Sequence, residues 1–230
     1  MADGDVFQIA EVVVATRRLG RHVEHDPRSR GFPATVAPVA DVRHVRHAEP
    51  FNQGDLGSCT GNAMAGALMT DPYYKSGRTL TEKNAVQLYE QATHLDTITG
   101  SYPPDDTGST GLAVAKAAKK DGYISAYAHA FGLQHALGAL TAAPVIAGIN
   151  WYDSFDTPLP TGECPLTADA TVRGGHEVEL FGLDVEKQQV WAYQSWGPKW
   201  GGLGNGTFWF SYATFERLLS ETGDVTAFTV

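Results

Sequence analysis

The segment Gln53-Gly54-Asp55-Leu56-Gly57-Ser58-Cys59-Thr60-Gly61-Asn62-Ala63 constrains this chain more than any other. Glycines break the backbone as far as Gly57, and a helix-forming run, Ala63-Met64-Ala65-Gly66-Ala67-Leu68-Met69, follows at once. The chain must pass from a loop into a helix with a thiol at the junction. A cysteine there faces the positive end of the helix dipole, which favours thiolate over thiol and makes a nucleophile near neutral pH. Gln53, upstream of the thiol, carries an amide N–H able to donate to an oxyanion formed beside the sulfur.

A thiolate nucleophile needs a proton shuttle. Gly174-Gly175-His176 supplies a histidine far downstream, and Gln194-Ser195-Trp196-Gly197-Pro198-Lys199-Trp200-Gly201 follows it. Cysteine, then histidine, then a side-chain amide is an order that suits nucleophilic attack, proton transfer and orientation of the imidazole. Asp184 is an alternative orienting group, past the end of the strand that carries His176.

These blocks resemble the papain-like cysteine peptidases at three separated places in the right order. Gln53-Gly54-x-x-Gly57-Ser58-Cys59 resembles the oxyanion glutamine, glycine turn and nucleophile. Gly175-His176, entering Glu177-Val178-Glu179-Leu180-Phe181-Gly182, resembles the histidine-bearing strand. Ser195-Trp196-Gly197-x-x-Trp200-Gly201, with Gly206-Thr207-Phe208-Trp209-Phe210, resembles the tryptophan block and its closing strand. Asp41-Val42-Arg43 is similar to the start of the mature enzyme. The resemblance implies an α+β fold with a helical half, a β-barrel-like half and an active-site cleft between them. It implies Cys59 as nucleophile, His176 as acid and base, Gln53 as oxyanion donor beside the Cys59 N–H, and Gln194 in the place of the family's asparagine. Gln194 is expected to accept from Nδ1–H of His176, leaving Nε2 toward Cys59. Gly57, Ser58, Ser109, Thr110, Gly175 and Trp196 are expected to border the substrate, with Trp196 shielding the histidine–amide bond.

The chain departs from the family pattern at four places. Gln194 adds a methylene to the usual asparagine, Thr60 stands where tryptophan is usual, and Leu56 replaces a half-cystine. The glycine-rich cleft segment is reduced to Gly108-Ser109-Thr110-Gly111.

At 230 residues, 43% of them hydrophobic, the chain has room for one large or two small cores. A formal charge of −9 disfavours a nucleic acid or an anionic membrane surface as partner. Cys59 and Cys164 are the two cysteines, and with Cys59 a nucleophile no disulfide is expected; Cys164 reads as a bystander. No apolar run approaches the roughly 20 residues of a membrane span, and the acidic Met1-Ala2-Asp3-Gly4-Asp5-Val6 start lacks a secretory pattern, which favours a cytoplasmic setting. His22-x-x-His25 and His44-x-x-His47 lack companion ligands at metal-site spacing, so neither a metal nor any other cofactor is expected. The partner implied is a peptide or protein substrate.

Residues 1–38 read as an N-terminal arm packed on the body, with a short strand possible at Glu11–Ala15, and residues 39–230 as the catalytic domain. Within it, residues 39–135 read mostly helical: a helix after Cys59 ended by Asp71-Pro72, one opening at the Thr81 cap, and one over Leu112–Lys120 stopped by Asp121-Gly122. A short helix is expected over Gln134–Leu140. Residues 136–230 otherwise read as strands at Pro144–Ile149, Glu177–Leu183, Val190–Tyr193 and Gly206–Phe210. Three functions stay open at this point: a cysteine peptidase, a cell-wall peptide hydrolase or amidase using the same site, and a binding module that has lost activity through Gln194.

Overall fold

The computed structural model describes residues 6–11 and 17–230. A two-residue strand β1 (Val6–Phe7) pairs antiparallel with β2 (Val23–Glu24), while β3 (Val42–Arg43) pairs with the main sheet. Of the strand expected at Glu11–Ala15, residues 12–15 lie outside the described residues.

Three helices build the first half: α1 (Cys59–Leu68), α2 (Glu82–Thr93) and α3 (Gly111–Lys120). Every residue of α1 is buried, because α2 covers one side of it and the sheet another. Its small residues allow this: a Cβ at Gly61 would overlap the Ala85 carbonyl of α2. The Thr81 cap is a reciprocal box, in which the Asn84 side chain accepts from Thr81 N–H at 3.0 Å. The Thr110 hydroxyl caps α3 by accepting from Ala113 N–H at 3.0 Å.

The second half runs β4 (Ala126–Ala130), α4 (Leu133–Ala142), β5 (Val145–Tyr152), β6 (Val172–Asp184), β7 (Gln189–Tyr193), β8 (Thr207–Ser211), α5 (Tyr212–Glu221) and β9 (Asp224–Thr229). The strands form one antiparallel sheet in the order β4-β9-β5-β6-β7-β8, with β3 on β6. β4 and β8 end the order unpaired to each other, so the sheet is open and the expected barrel-like closure is absent among the described residues. β4, α5 and β9 are additions to the elements expected from sequence. β9 inserts between β4 and β5 from the end of the chain, a placement set by long-range pairing.

Each half has its own apolar core. Met64, Leu68, Leu88, Val114 and Ala118 centre one, and Trp151, Phe155, Val178, Phe208, Phe210 and Phe215 the other. Between them lies a polar rivet. Glu179 of β6, 1% exposed, accepts from Arg46 Nη1 at 2.6 Å and from Thr70 Oγ1, beyond the end of α1, at 2.5 Å. The Arg46 guanidinium also lies over Phe51 and Tyr193, at 4.9 and 4.8 Å from their ring centres. No helix among the described residues is long and apolar enough to cross a membrane.

The rivet makes a stability prediction. Arg46→Ala strands the Glu179 carboxylate in the interior, and breaking a buried pair in this way costs about 3–5 kcal/mol. Urea denaturation should show a loss of that size, and Arg46→Met combined with Glu179→Leu should recover most of it.

Candidate active site

The cleft between the halves gathers the residues singled out from sequence. Cys59 opens α1, and its Sγ lies against the backbone N–H groups of Glu177 and Thr60. His176 enters from β6 beside that same Glu177 N–H. Its Nε2 pairs with Oε1 of Gln194. An amide oxygen only accepts, so Nε2 carries the hydrogen and Nδ1 keeps its lone pair. Nδ1 makes no hydrogen bond among the described residues and is the nitrogen left for Cys59. The expected assignment of the two ring nitrogens is therefore reversed. The extra methylene of Gln194 is absorbed by curling back: Oε1 also accepts from the next residue's backbone, Ser195 N–H, at 2.8 Å. Asp184 is excluded as the orienting group, since it pairs with Lys187 at 2.8 Å at the far end of β6.

Gln53 is fixed by Ser195, a contribution the sequence reading missed although Ser195 sits inside a quoted block. Gln53 N–H donates to the Ser195 carbonyl at 2.9 Å, and Ser195 Oγ donates to Gln53 Oε1 at 2.5 Å. The amide orientation follows from the Leu56 carbonyl of the cysteine loop, which can only accept and takes a hydrogen from Gln53 Nε2 at 2.9 Å, leaving Oε1 for the Ser195 hydroxyl. Trp196 lies along the His176 ring at a centroid distance of 5.4 Å, and Trp151, which carried no motif, meets the ring edge-on at 5.1 Å. Both keep water from the histidine–amide bond.

Residues 17–24 of the arm thread this cleft. Gly20 and Arg21 N–H groups both donate to the Gly175 carbonyl, at 3.1 and 3.0 Å. Across the cleft, Ser109 N–H donates to the Gly20 carbonyl and His22 N–H to the Ser109 carbonyl, each at 2.8 Å. Trp196 Nε1 donates to the Arg18 carbonyl at 3.2 Å, and the Thr110 hydroxyl donates to Glu24 at 2.8 Å. A Cβ at Gly20 would collide with the Gly57 carbonyl, and φ of +148° there suits only glycine. The residues expected to border a substrate thus border the arm, Ser58 excepted, whose hydroxyl turns inward to Asn62 at 3.0 Å. His22 of the arm has a structural role: it accepts from Ile9 N–H at 2.9 Å and lies 2.8 Å from the Thr107 carbonyl.

Covered by the arm, Cys59 and His176 are both fully buried. Burial pushes the Cys59 thiol far above its ordinary range, against the lowering pull of the Glu177 and Thr60 N–H groups. Burial likewise draws His176 down to about 3, with the Gln194 bond opposing and Arg173 adding to the shift. Burial thus favours the neutral thiol over the thiolate expected at the helix N-terminus, because desolvation outweighs the dipole. Cys164, the expected bystander, is equally buried, its Sγ 3.8 Å from the Phe155 carbonyl, and burial raises its thiol as it raises that of Cys59.

No protein-family model and no curated protein matches the sequence. Solved structures do. Xylellain, a cysteine protease from Xylella fastidiosa, is 18% identical with a TM-score of 0.63, over 97% of this chain and 96% of that one. Digestive procathepsin L 3 of Tenebrio molitor larval midgut is 16% identical with a TM-score of 0.63, over 86% and 73%. Procathepsin B S9 from Trypanosoma congolense is 12% identical with a TM-score of 0.62, over 92% and 86%. The chain has the papain-like cysteine-protease fold.

The buried imidazole sets a pH dependence. Unfolded, His176 takes a proton near 6.5; folded, it resists protonation down to about 3. Between those values the unfolded chain holds the extra proton, so stability rises with pH there and is lost as pH falls below about 6.5. Melting temperatures measured from pH 7 to 4 should fall less steeply for His176→Gln than for the unaltered chain.

Proposed function

We propose that this protein is a papain-like cysteine peptidase held latent by its own N-terminal arm. The observation that carries the reading is the convergence of Cys59 at the head of α1, His176 oriented through Nε2 by Gln194, and Gln53 oriented by Ser195, on one cleft. With the arm withdrawn and water admitted, the desolvation that keeps both groups neutral is relieved, and Nδ1 of His176 takes the thiol proton. The Cys59 thiolate attacks a peptide carbonyl, forming a C–S bond and an oxyanion held by Cys59 N–H and the Gln53 amide. His176 returns its proton to the leaving nitrogen as the C–N bond breaks. It then takes a proton from water, which attacks the thioester; the acid product leaves and the thiol is restored. Peptides or proteins are the substrates; a cell-wall peptide is one such substrate, and the site itself carries no feature that selects it.

The rival is a non-catalytic module, favoured by one observation: no hydrogen bond joins Cys59 and His176 among the described residues. Release of the arm separates the two readings. Gly20→Val drives a side chain into the Gly57 carbonyl and should raise the rate of Cys59 alkylation by iodoacetamide at least tenfold, with peptide hydrolysis appearing alongside it. Fast labelling without hydrolysis of any peptide would favour the module.

In the released form, Cys59→Ala and His176→Ala should each abolish hydrolysis. Gln53→Ala should lower kcat by about 10²-fold with little change in KM, the scale of one lost oxyanion donor. Gln194→Ala should slow turnover without ending it, and Gln194→Asn should retain it; a full loss in Gln194→Asn would show that the curled glutamine geometry is indispensable.

A further inference from the structure

Beside the nucleophile lies a buried acidic pocket that the chemistry above leaves unused. Glu177 follows His176 in β6, is 1% exposed, and neither of its carboxylate oxygens has a hydrogen-bond partner among the described residues. Asp224, at the start of β9, faces the same space. Room for it comes from Gly148 of β5: a Cβ there would overlap Asp224 Oδ1 and Arg21 Nε and stand 2.9 Å from Glu177 Oε2. Across the pocket, a Cβ at Gly111 would stand 3.0 Å from Glu177 Oε1.

What fills the pocket is the side chain of Arg21, 0% exposed although it belongs to the arm. Its Nη2 donates to Asp224 Oδ1 at 2.5 Å and to the Thr222 carbonyl at 2.8 Å, while Nε and Nη1 have no hydrogen-bond partner among the described residues. The arm backbone on either side of Arg21 bonds Gly175 and Ser109, the two walls of the cleft. A cleft occupant therefore delivers one side chain into this pocket, within a few residues of Cys59. When the arm leaves, two carboxylates stay behind without their cation, in a site where unpaired charge is costly. An arginine restores the counter-charge: its guanidinium donates to Asp224 and the Thr222 carbonyl, as Arg21 does, with Glu177 beside it adding negative charge. A lysine offers a single ammonium, and an acidic side chain is repelled.

We propose that this pocket sets substrate specificity: Glu177 and Asp224, with the Thr222 carbonyl, select peptides that carry an arginine close to the scissile bond, at the place Arg21 holds in the closed form. The arm then closes the cleft by presenting the residue that the pocket is built to take. This rests on the peptidase reading, and the test is arranged so that the two fail separately.

The full-length chain carrying Gly20→Val is incubated with a peptide library randomised at every position, and the cut sites are mapped by mass spectrometry. Arginine should be enriched at least tenfold over leucine at one fixed distance from the cut bond, with lysine weaker. Glu177→Gln combined with Asp224→Asn should bring that enrichment below twofold. No basic preference at any position, or one that survives the double substitution, overturns the proposal. Binding is measured in parallel on Gly20→Val with Cys59→Ala, using a labelled peptide of residues 17–24 and its Arg21→Leu counterpart. At least tenfold tighter binding of the arginine peptide, lost with Glu177→Gln and Asp224→Asn, supports the pocket even where no bond is cut, in which case the peptidase reading alone falls. Equal binding, or none, overturns the pocket. Should Gly20→Val not fold, Arg21→Gln, with a shorter and uncharged side chain, vacates the acidic end of the pocket for the same two measurements.

Discussion

Strand β6 buries three titratable side chains within four residues, His176, Glu177 and Glu179, and much of the molecule is arranged around keeping each of them tolerable out of water. An unpaired charge in the interior costs several kcal/mol, so each group must be neutralised or matched. Glu179 is matched by Arg46 and Thr70, which fastens the helical half to the sheet. His176 is kept neutral and given one partner, Gln194, which leaves its second nitrogen for chemistry. Glu177 is faced by Asp224, and burial and that neighbour raise its carboxyl while Arg21 opposes them. The strand that holds the two halves together is thus the strand that carries His176 of the candidate site.

The arm changes what these groups can do. Residues 17–24 fill the cleft, and the resulting desolvation moves the Cys59 thiol up and His176 down, which favours the neutral form of both. The same closure relies on a glycine at one point and a cation at another: Gly20 passes beneath the Gly57 carbonyl, and Arg21 enters the acidic pocket. A short segment suffices because it binds through both backbone and side chain. Its reach is local, and the reactive groups need no distortion to be silenced.

The candidate site was readable because three separated blocks resemble papain-like motifs, and because a thiol where a loop meets a helix faces the positive end of the dipole. Helices α1, α2 and α3 were legible from caps and apolar spacing, and β5 to β8 from their apolar runs. β4 was not, since Ala-Tyr-Ala-His-Ala buries little side chain and owes its place to pairing with β9. The ring nitrogen that faces Cys59 was not legible either, because it depends on how Gln194 folds back onto Ser195.

Sequence alone determined the identity of the nucleophile, acid–base and amide candidates, the α+β order of elements, and the absence of a staple at Leu56. Tertiary structure decided what those groups are at rest. Protonation states depend on solvent exclusion, and exclusion depends on contacts between residues more than a hundred positions apart, such as Gly20 with Gly175 and Arg21 with Asp224. Spacing along a chain records which side chains are available; only the packed molecule sets the dielectric around them and brings a distant arginine between two carboxylates.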